Sequence, residues 1–164
     1  MAQKENNIIP MIFDEAFYRK MATQKWRQQD YKKAAEYYEK VLELSPKDFD
    51  IQQHYAQCLV KLNIGKKAER LFYENIVKDF HVAESFYELS QLNIELNEPN
   101  KAFLFGINYV ILSEDKDFRE MLEKTFAVAY TNEQKIELEA QLFSTQLLFQ
   151  FLFSQGRLRS EEHT

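Results

Sequence analysis

The sequence predicts an all-α fold built from repeated antiparallel helix pairs. In residues 28–48, QQDYKKAAEYYEKVLELSPKD, apolar residues recur at three- and four-residue spacing until Ser-Pro ends the helix. Two later stretches, IGKKAERLFYENI and EPNKAFLFGINYV, repeat this pattern in weaker form. The 164 residues contain only three glycines and three prolines, which disfavours turn-rich β folds and strand-helix units with glycine loops.

The repeated unit has a period of 34 residues. Ala34, Ala68 and Ala102 each follow a turn and are spaced by that interval. Other positions keep the same register: small residues at Ala22, Ala56 and Ser90, and larger ones at Met21, Tyr55 and Leu89 and at Tyr38 and Phe72. Small residues let two helix backbones approach closely, and the larger ones fill the space around the contact. Because one helix pair cannot bury its own apolar face, we expect the units to stack into a superhelix.

This pattern resembles the tetratricopeptide repeat (TPR), over roughly residues 15–116. The first unit is the closest match, with Ala22 in the first helix, Ala34 and Tyr38 in the second, and Pro46 as terminator. The departures are Gln52 in place of an aromatic residue, Gly106 in place of a ring, and Phe80 and Glu114 in place of the closing proline.

The resemblance implies a single TPR domain, an α-solenoid of antiparallel helix pairs. Its expected parts are a lead-in over 1–14, repeats over 15–48, 49–82 and 83–116, and a degenerate repeat or capping helices over 117–164. Gly65 and Pro99 are expected in the turn between the two helices of their units. The chain also resembles the N-terminal part of YpiA-like TPR proteins of Gram-positive bacteria, which implies an adaptor role that includes regulated proteolysis.

The last part of the chain predicts two further helices. DFREMLEKTFAVAY reads as an amphipathic helix, and Thr131 with Gln134 resembles a capping box that opens the next one. EQKIELEAQLFSTQLLFQFLFSQG then runs to Gly156, either as one long helix or with a break near Ser144 and Thr145.

This final helix is apolar on all sides and must be covered on more than one of them. Either the chain is the N-terminal fragment of a longer array, with QGRLRSEEH as the turn of another repeat, or the extra apolar face is a homodimer contact. The residues expected to self-associate are Leu148, Phe149, Leu152 and Phe153.

Composition argues against several classes of partner and compartment. The net charge of −5 and pI near 5.3 lack the basic footprint of a nucleic-acid-binding protein. The single cysteine, Cys58, permits no internal disulfide, so a reducing cytoplasmic setting is expected. The N-terminal residues do not read as a secretory signal, and the apolar run 147–153 is too short to span a bilayer.

No pattern in the sequence predicts an enzyme, a cofactor or a metal site. It contains no glycine-rich phosphate loop, HExxH, CxxC or GxSxG motif. His54, His81 and His163 are scattered without ligand spacing, and Cys58 falls at a packing position without a cationic neighbour.

The resemblance places a partner-binding groove on the concave surface, mainly on the first helix of each unit. The groove candidates are Arg19, Lys20, Thr23, Trp26 and Arg27 in unit one, Asp50, Gln53, His54, Gln57 and Lys61 in unit two, and Glu84, Tyr87, Glu88, Gln91 and Glu95 in unit three. The groove thus runs from basic to acidic, which favours a ligand of opposite polarity, although any exposed helix face is polar. Trp26 and Tyr87 are the aromatic anchors, with Trp26 equally consistent with packing of the first unit.

One family function is disfavoured. Co-chaperone TPR domains clamp the C-terminal aspartate of Hsp70 or Hsp90 with lysine, asparagine and arginine side chains, and the matching positions here are Arg19, Thr23, His54, Glu84 and Glu88. The last two are carboxylates, which would repel a carboxylate ligand.

Three functions remain open. The first is a protein- or peptide-binding adaptor, which predicts that Arg19→Glu with Arg27→Glu abolishes partner binding without unfolding the protein. The second is self-assembly through the aromatic C-terminal helix. The third, an RNA-binding helical repeat, requires a basic groove and is disfavoured by the acidic balance.

Overall fold

The computed structural model describes residues 14–126 and 133–155 and confirms the all-α fold. The helices are α1 Glu15–Arg27, α2 Tyr31–Leu44, α3 Phe49–Lys61, α4 Gly65–Val77, α5 Val82–Glu95, α6 Pro99–Ser113, α7 Lys116–Phe126 and α8 Glu133–Ser154. No strand occurs among these residues, and no helix among them is long and apolar enough to cross a bilayer.

The first six helices form three stacked pairs. α1 packs on α2, α3 on α4 and α5 on α6, and the pairs are joined through contacts of α2 with α3 and of α4 with α5. α3 also touches α5 directly, so first helices of consecutive units lie side by side. The result is the predicted TPR solenoid, in which one core runs through all three pairs.

The turn inside each pair repeats with the same backbone geometry. Gln29, Asn63 and Asn97, spaced by 34 residues, have left-handed φ angles of 59°, 61° and 56°. The next residue in each turn donates its N–H to a carbonyl five residues earlier, at 2.8–2.9 Å, which closes a Schellman motif. The expectation that Gly65 is the flexible turn residue is wrong, because Gly65 is the first residue of α4 and Asn63 holds the left-handed position.

Small residues lie at every contact between paired helices. The six residues have no solvent exposure: Ala22, Ala56, Ser90, Ala34, Ala68 and Ala102. Ser90, the single polar member, donates its hydroxyl to the Ala102 carbonyl at 2.7 Å, so its burial leaves no unpaired hydroxyl. These contacts bring the two backbones of a unit together, as the sequence predicts.

A buried amide cluster replaces the expected aromatic at residue 52. Gln52 Nε2 donates to Asn75 Oδ1 at 2.9 Å, and Asn75 Nδ2 donates to Gln53 Oε1 at 2.8 Å and to the Phe49 carbonyl at 3.1 Å. Ser85 Oγ adds a hydrogen bond to Gln53 Oε1 at 3.0 Å. The cluster therefore joins α3, α4 and α5 through hydrogen bonds where other repeats use a ring.

Gly106 is required by the close approach of α6 to α7. A Cβ atom at this position would lie 2.4 Å from Leu122 Cδ1 and 3.0 Å from Ser90 Oγ. Leu122 is itself fully buried and has little room to move. The ring that the repeat pattern expects at residue 106 is thus replaced by a leucine from the next helix.

α8 is one continuous helix without a break at Ser144 and Thr145, but it departs from repeat geometry. It packs mainly on α6 and reaches α4, crossing the second helices of units two and three. Asn108 Nδ2 donates to the Ala140 carbonyl at 2.9 Å, and Phe151 lies 5.8 Å from Tyr73 between ring centroids. A second core of residues from α6, α7 and α8 covers the end of the solenoid.

The residues expected to self-associate divide between the two sides of α8. Leu148 is half-buried and packs on the core, and Leu152 is half-buried, whereas Phe149 and Phe153 are exposed. The prediction that Leu148 belongs to an outer contact face is therefore wrong. The capping box of Thr131 and Gln134 and the turn at Gly156 involve positions outside the described residues.

We predict that Gly106→Ala destabilises the protein. Displacing Leu122 should cost about 1 to 3 kcal/mol, which outweighs the gain of up to about 1 kcal/mol from replacing a helical glycine. Urea denaturation measures the free energy of unfolding, and Gly65→Ala is the control because only the end of the Leu92 side chain, at 3.1 Å, meets its new Cβ. Gly106→Ala at least as stable as wild type would contradict the close approach.

Candidate partner-binding surface

The candidate binding surface consists of side chains on the first helices of the three units. We call it the first-helix face and define it by Lys20, Thr23 and Arg27 of α1, His54, Gln57 and Lys61 of α3, and Glu84, Glu88 and Gln91 of α5. Six of these side chains are exposed, and Gln57, Glu88 and Gln91 are half-buried. Asp50, Tyr87 and Glu95 are exposed as well, and Asp50 pairs with His81.

Gln53 does not belong to this surface. Its residue exposure is 2%, because its side chain points into the amide cluster between α3, α4 and α5. Its Nε2 donor has no hydrogen-bond partner among the described residues. The groove position predicted by the repeat register is thus a packing position in unit two.

Arg19 is committed to contacts within the protein. Its Nε donates to Glu15 Oε1 at 2.8 Å, and its guanidinium also pairs with Asp48, which caps the start of α3. The Ser45 hydroxyl and Arg19 together lower the pKa of Glu15. Burial raises the pKa of Asp48, but the bond to Arg19 outweighs it and the net shift is downward. Arg19 therefore links unit one to unit two and offers little free charge to a ligand.

Arg19, Gln53 and Tyr87 occupy the same repeat position and perform the same structural task. Arg19 pairs with Asp48 ahead of unit two, Gln53 accepts from Ser85 of unit three, and Tyr87 packs on Phe118 of α7 with a centroid distance of 5.2 Å. Each contact uses different chemistry to join a unit to its successor. The common role is visible only in the structure.

The basic end of the first-helix face is an open depression along α1. A cavity of about 540 Å³ is lined by Arg19, Lys20, Thr23, Gln24, Arg27 and Gln28. Lys20 and Arg27 are exposed, and neither forms an ion pair with another described residue. The sequence reasoning missed Gln24 and Gln28, which a wider search along the same helix face would include.

Trp26 packs the first unit. Its ring meets the Tyr31 ring edge-on, at a centroid distance of 5.1 Å and an angle of 70°, and it is half-buried against the core. The Lys61 ammonium lies 6.0 Å from the other member of this pair, Tyr31, within reach of a cation–π contact. Only the remaining edge of the indole is open to a ligand.

The middle of the first-helix face is held by contacts between α3 and α5. Gln57 Nε2 donates to Glu88 Oε1 at 3.2 Å. Burial raises the pKa of Glu88, while the Gln57 hydrogen bond and the nearby Lys61 charge act in the opposite direction. The His54 ring stacks on Tyr38 at 6.0 Å. The charge of Glu88 is thus partly shielded, and the exposed acidic charges at this end are Glu84 and Glu95.

The described residues contain no arrangement typical of a catalytic or metal site. No group of three or more histidine, cysteine, aspartate and glutamate side chains among them could hold a metal ion. His163 lies outside the described residues. Cys58 is fully buried, and burial raises the pKa of its thiol to about 12, so it is a packing residue.

Comparison with known proteins agrees with this architecture. A family model described as tetratricopeptide repeat matches residues 25–72, which span most of unit one and much of unit two. The crystal structure of the MamA protein, a TPR-containing protein, is similar in fold, with a TM-score of 0.59 and 17% sequence identity. The similarity covers 90% of this chain and 85% of that one. No curated protein matches the sequence.

We predict that Arg19→Gln reduces the loss of stability in acid. Because Arg19 favours the charged forms of Glu15 and Asp48 in the folded protein, their stabilisation is present above the ordinary carboxyl pKa near 4 and is lost as pH falls below it. Urea denaturation at about pH 7 and pH 3 should show a smaller change for Arg19→Gln than for wild type. Arg27→Gln, at a residue without an ion pair, should behave like wild type, and equal changes in all three proteins would contradict the link.

We also predict that Cys58 does not react with a thiol reagent in the folded protein. Its full burial and raised pKa leave neither access nor thiolate at neutral pH. Colour release from Ellman's reagent should begin only in denaturant. Rapid reaction without denaturant would place the thiol at an accessible site.

Proposed function

We propose that this tetratricopeptide-repeat protein is a non-enzymatic scaffold that binds a protein or peptide partner along the first-helix face. The TPR fold is typically an interaction scaffold, which gives the general class. The observation that carries the specific proposal is the distribution of exposed charge. Lys20 and Arg27 lie at one end and Glu84 and Glu95 at the other, and none forms an ion pair with another described residue.

Other charges of the same helices are satisfied within the protein. Arg19 pairs with Glu15 and Asp48, Glu88 accepts from Gln57, and Asp50 pairs with His81. An array that needed charge only for solubility would have no reason to leave opposite charges at opposite ends of one face. A partner with an acidic segment toward α1 and a basic segment toward α5 fits this polarity and would be steered into register by it.

The same charges favour some partners over others. Glu84 and the half-buried Glu88 lie where a clamp for a C-terminal carboxylate would need cations, so an Hsp70 or Hsp90 tail is a poor ligand. Acidic residues at this end also disfavour nucleic acid. A free buried cysteine fits a cytoplasmic setting, and the resemblance to YpiA-like bacterial proteins supports an adaptor in regulated proteolysis as the more specific form of this function.

The test is affinity capture from lysate of the source cells with Lys20→Glu/Arg27→Glu beside wild type. We expect wild type to retain a specific partner that the double variant loses, because the reversed charges would repel its acidic segment. The matched control is Lys32→Glu/Lys33→Glu, which makes the same charge change at exposed positions of α2. Arg19 is left unchanged, since Arg19→Glu would place a third carboxylate beside Glu15 and Asp48 and weaken the fold.

The recovered partner then allows a quantitative measurement. Trp26 is the single tryptophan and lies on α1, so its fluorescence reports binding at the basic end. Reversing Lys20 and Arg27 should lower the association rate about tenfold or more at low salt, and raising the salt should narrow the difference. Equal rates for wild type and the double variant, or equal loss in the α2 control, would remove the first-helix face as the binding site.

A further inference from the structure

α8 carries an exposed apolar stripe on the side away from the core. Leu138, Leu142, Phe149 and Phe153 are 56%, 61%, 58% and 46% exposed. At about 100° per residue, they fall within a sector of about 60° on one side of the helix. Phe143, Leu147 and Phe151, on the other side, pack on the core or are buried. The stripe is therefore a second apolar side that the solenoid does not use.

The surroundings of the stripe contain no charge. From Ala140 to Gln155 the sequence has no Asp, Glu, Lys or Arg, and the exposed polar residues next to the stripe are glutamine and threonine. The exposed positions of α2, by contrast, carry Lys32, Lys33, Glu36, Glu39, Lys40 and Glu43. Loss of charge with gain of aromatic side chains is the composition of an interface core. Since the protein has a net charge of −5, a neutral side is also where two copies repel each other least.

The spacing of the stripe is symmetrical along the helix. The intervals between its four residues are four, seven and four, so the pattern of positions is the same in both directions. In an antiparallel pair with a two-fold axis between Thr145 and Gln146, Leu138 would face Phe153 of the partner subunit. Leu142 would face Phe149 of the partner subunit. Each phenylalanine then meets a leucine, which is the self-complementarity that a two-fold interface requires.

We propose that α8 pairs antiparallel with α8 of a second copy of this chain. The four stripe side chains expose roughly 100 Å² each, or about 400 Å² together, whereas a standard interface buries about 800 Å² on each partner. The uncharged polar residues beside the stripe, Gln141, Thr145, Gln146 and Gln150, supply the rim that completes this area. The contact lies away from the first-helix face, so the inference is independent of the proposed partner site.

Sedimentation equilibrium of the full chain tests the association. Over about 1 to 200 μM, wild type should pass from monomer to dimer, as expected for a modest interface. Phe149→Glu should weaken the dimer at least about a hundredfold, since it would bury two unpaired charges. Leu44→Glu is the matched control, because Leu44 is an equally exposed leucine on α2, and it should dimerise like wild type.

Cysteine cross-linking with a short bis-maleimide tests the antiparallel register. At 1.5 Å per residue, the two copies of residue 138 would lie about 22 Å apart and the two copies of residue 145 side by side. Thr145→Cys should therefore cross-link to itself, and Leu138→Cys should cross-link only when mixed with Phe153→Cys. The native Cys58 is buried and should give no product in wild type.

Several results would overturn the proposal. A wild type that stays monomeric over the whole range would do so, and one that loses stability on Phe149→Glu would assign the stripe to another segment of the same chain. A dimer that Phe149→Glu leaves intact would assign association to a different surface. Self-cross-linking of Leu138→Cys as fast as that of Thr145→Cys would make the pair parallel.

Discussion

Close approach of paired helix backbones is the constraint on which the rest of the structure depends. It is set by six fully buried small residues at 34-residue spacing, and at the one polar position the Ser90 hydroxyl bonds to the facing Ala102 carbonyl. Once two helices lie this close, their apolar sides point to the neighbouring units and stacking buries them. The left-handed residues Gln29, Asn63 and Asn97 turn the chain back at the same point in every unit.

This shared frame leaves freedom in how the units are joined. An ion pair of Arg19, a buried amide cluster around Gln53 and an aromatic contact of Tyr87 occupy one repeat position in three consecutive units. A position can therefore belong to the binding face by register and still be used for packing. The surface open to a partner is smaller than the repeat pattern implies, and its free charge is concentrated at Lys20, Arg27, Glu84 and Glu95.

Local and periodic signals predicted most of the fold. The alanines 34 residues apart, the apolar spacing and the scarcity of glycine and proline indicate the helix pairs, and the uninterrupted run up to Gly156 indicates a long last helix. Contacts between distant residues could not be predicted in this way. The pairing of Arg19 with Asp48, the burial of Gln53 and the replacement of a ring at Gly106 by Leu122 each depend on how neighbouring units pack. The position of α8 across α6 and α4 likewise follows from packing of its inner side.

The central claim is that the partner lies on the first-helix face, and hydrogen–deuterium exchange with and without the captured partner tests it most directly. We predict slower exchange in the complex for peptides from α1, α3 and α5, because contacts along these helices suppress their local opening. Peptides from α2, α4 and α6 should change less. Protection concentrated on the second helices, with α1, α3 and α5 unchanged, would contradict the account and assign binding to the opposite side of the solenoid.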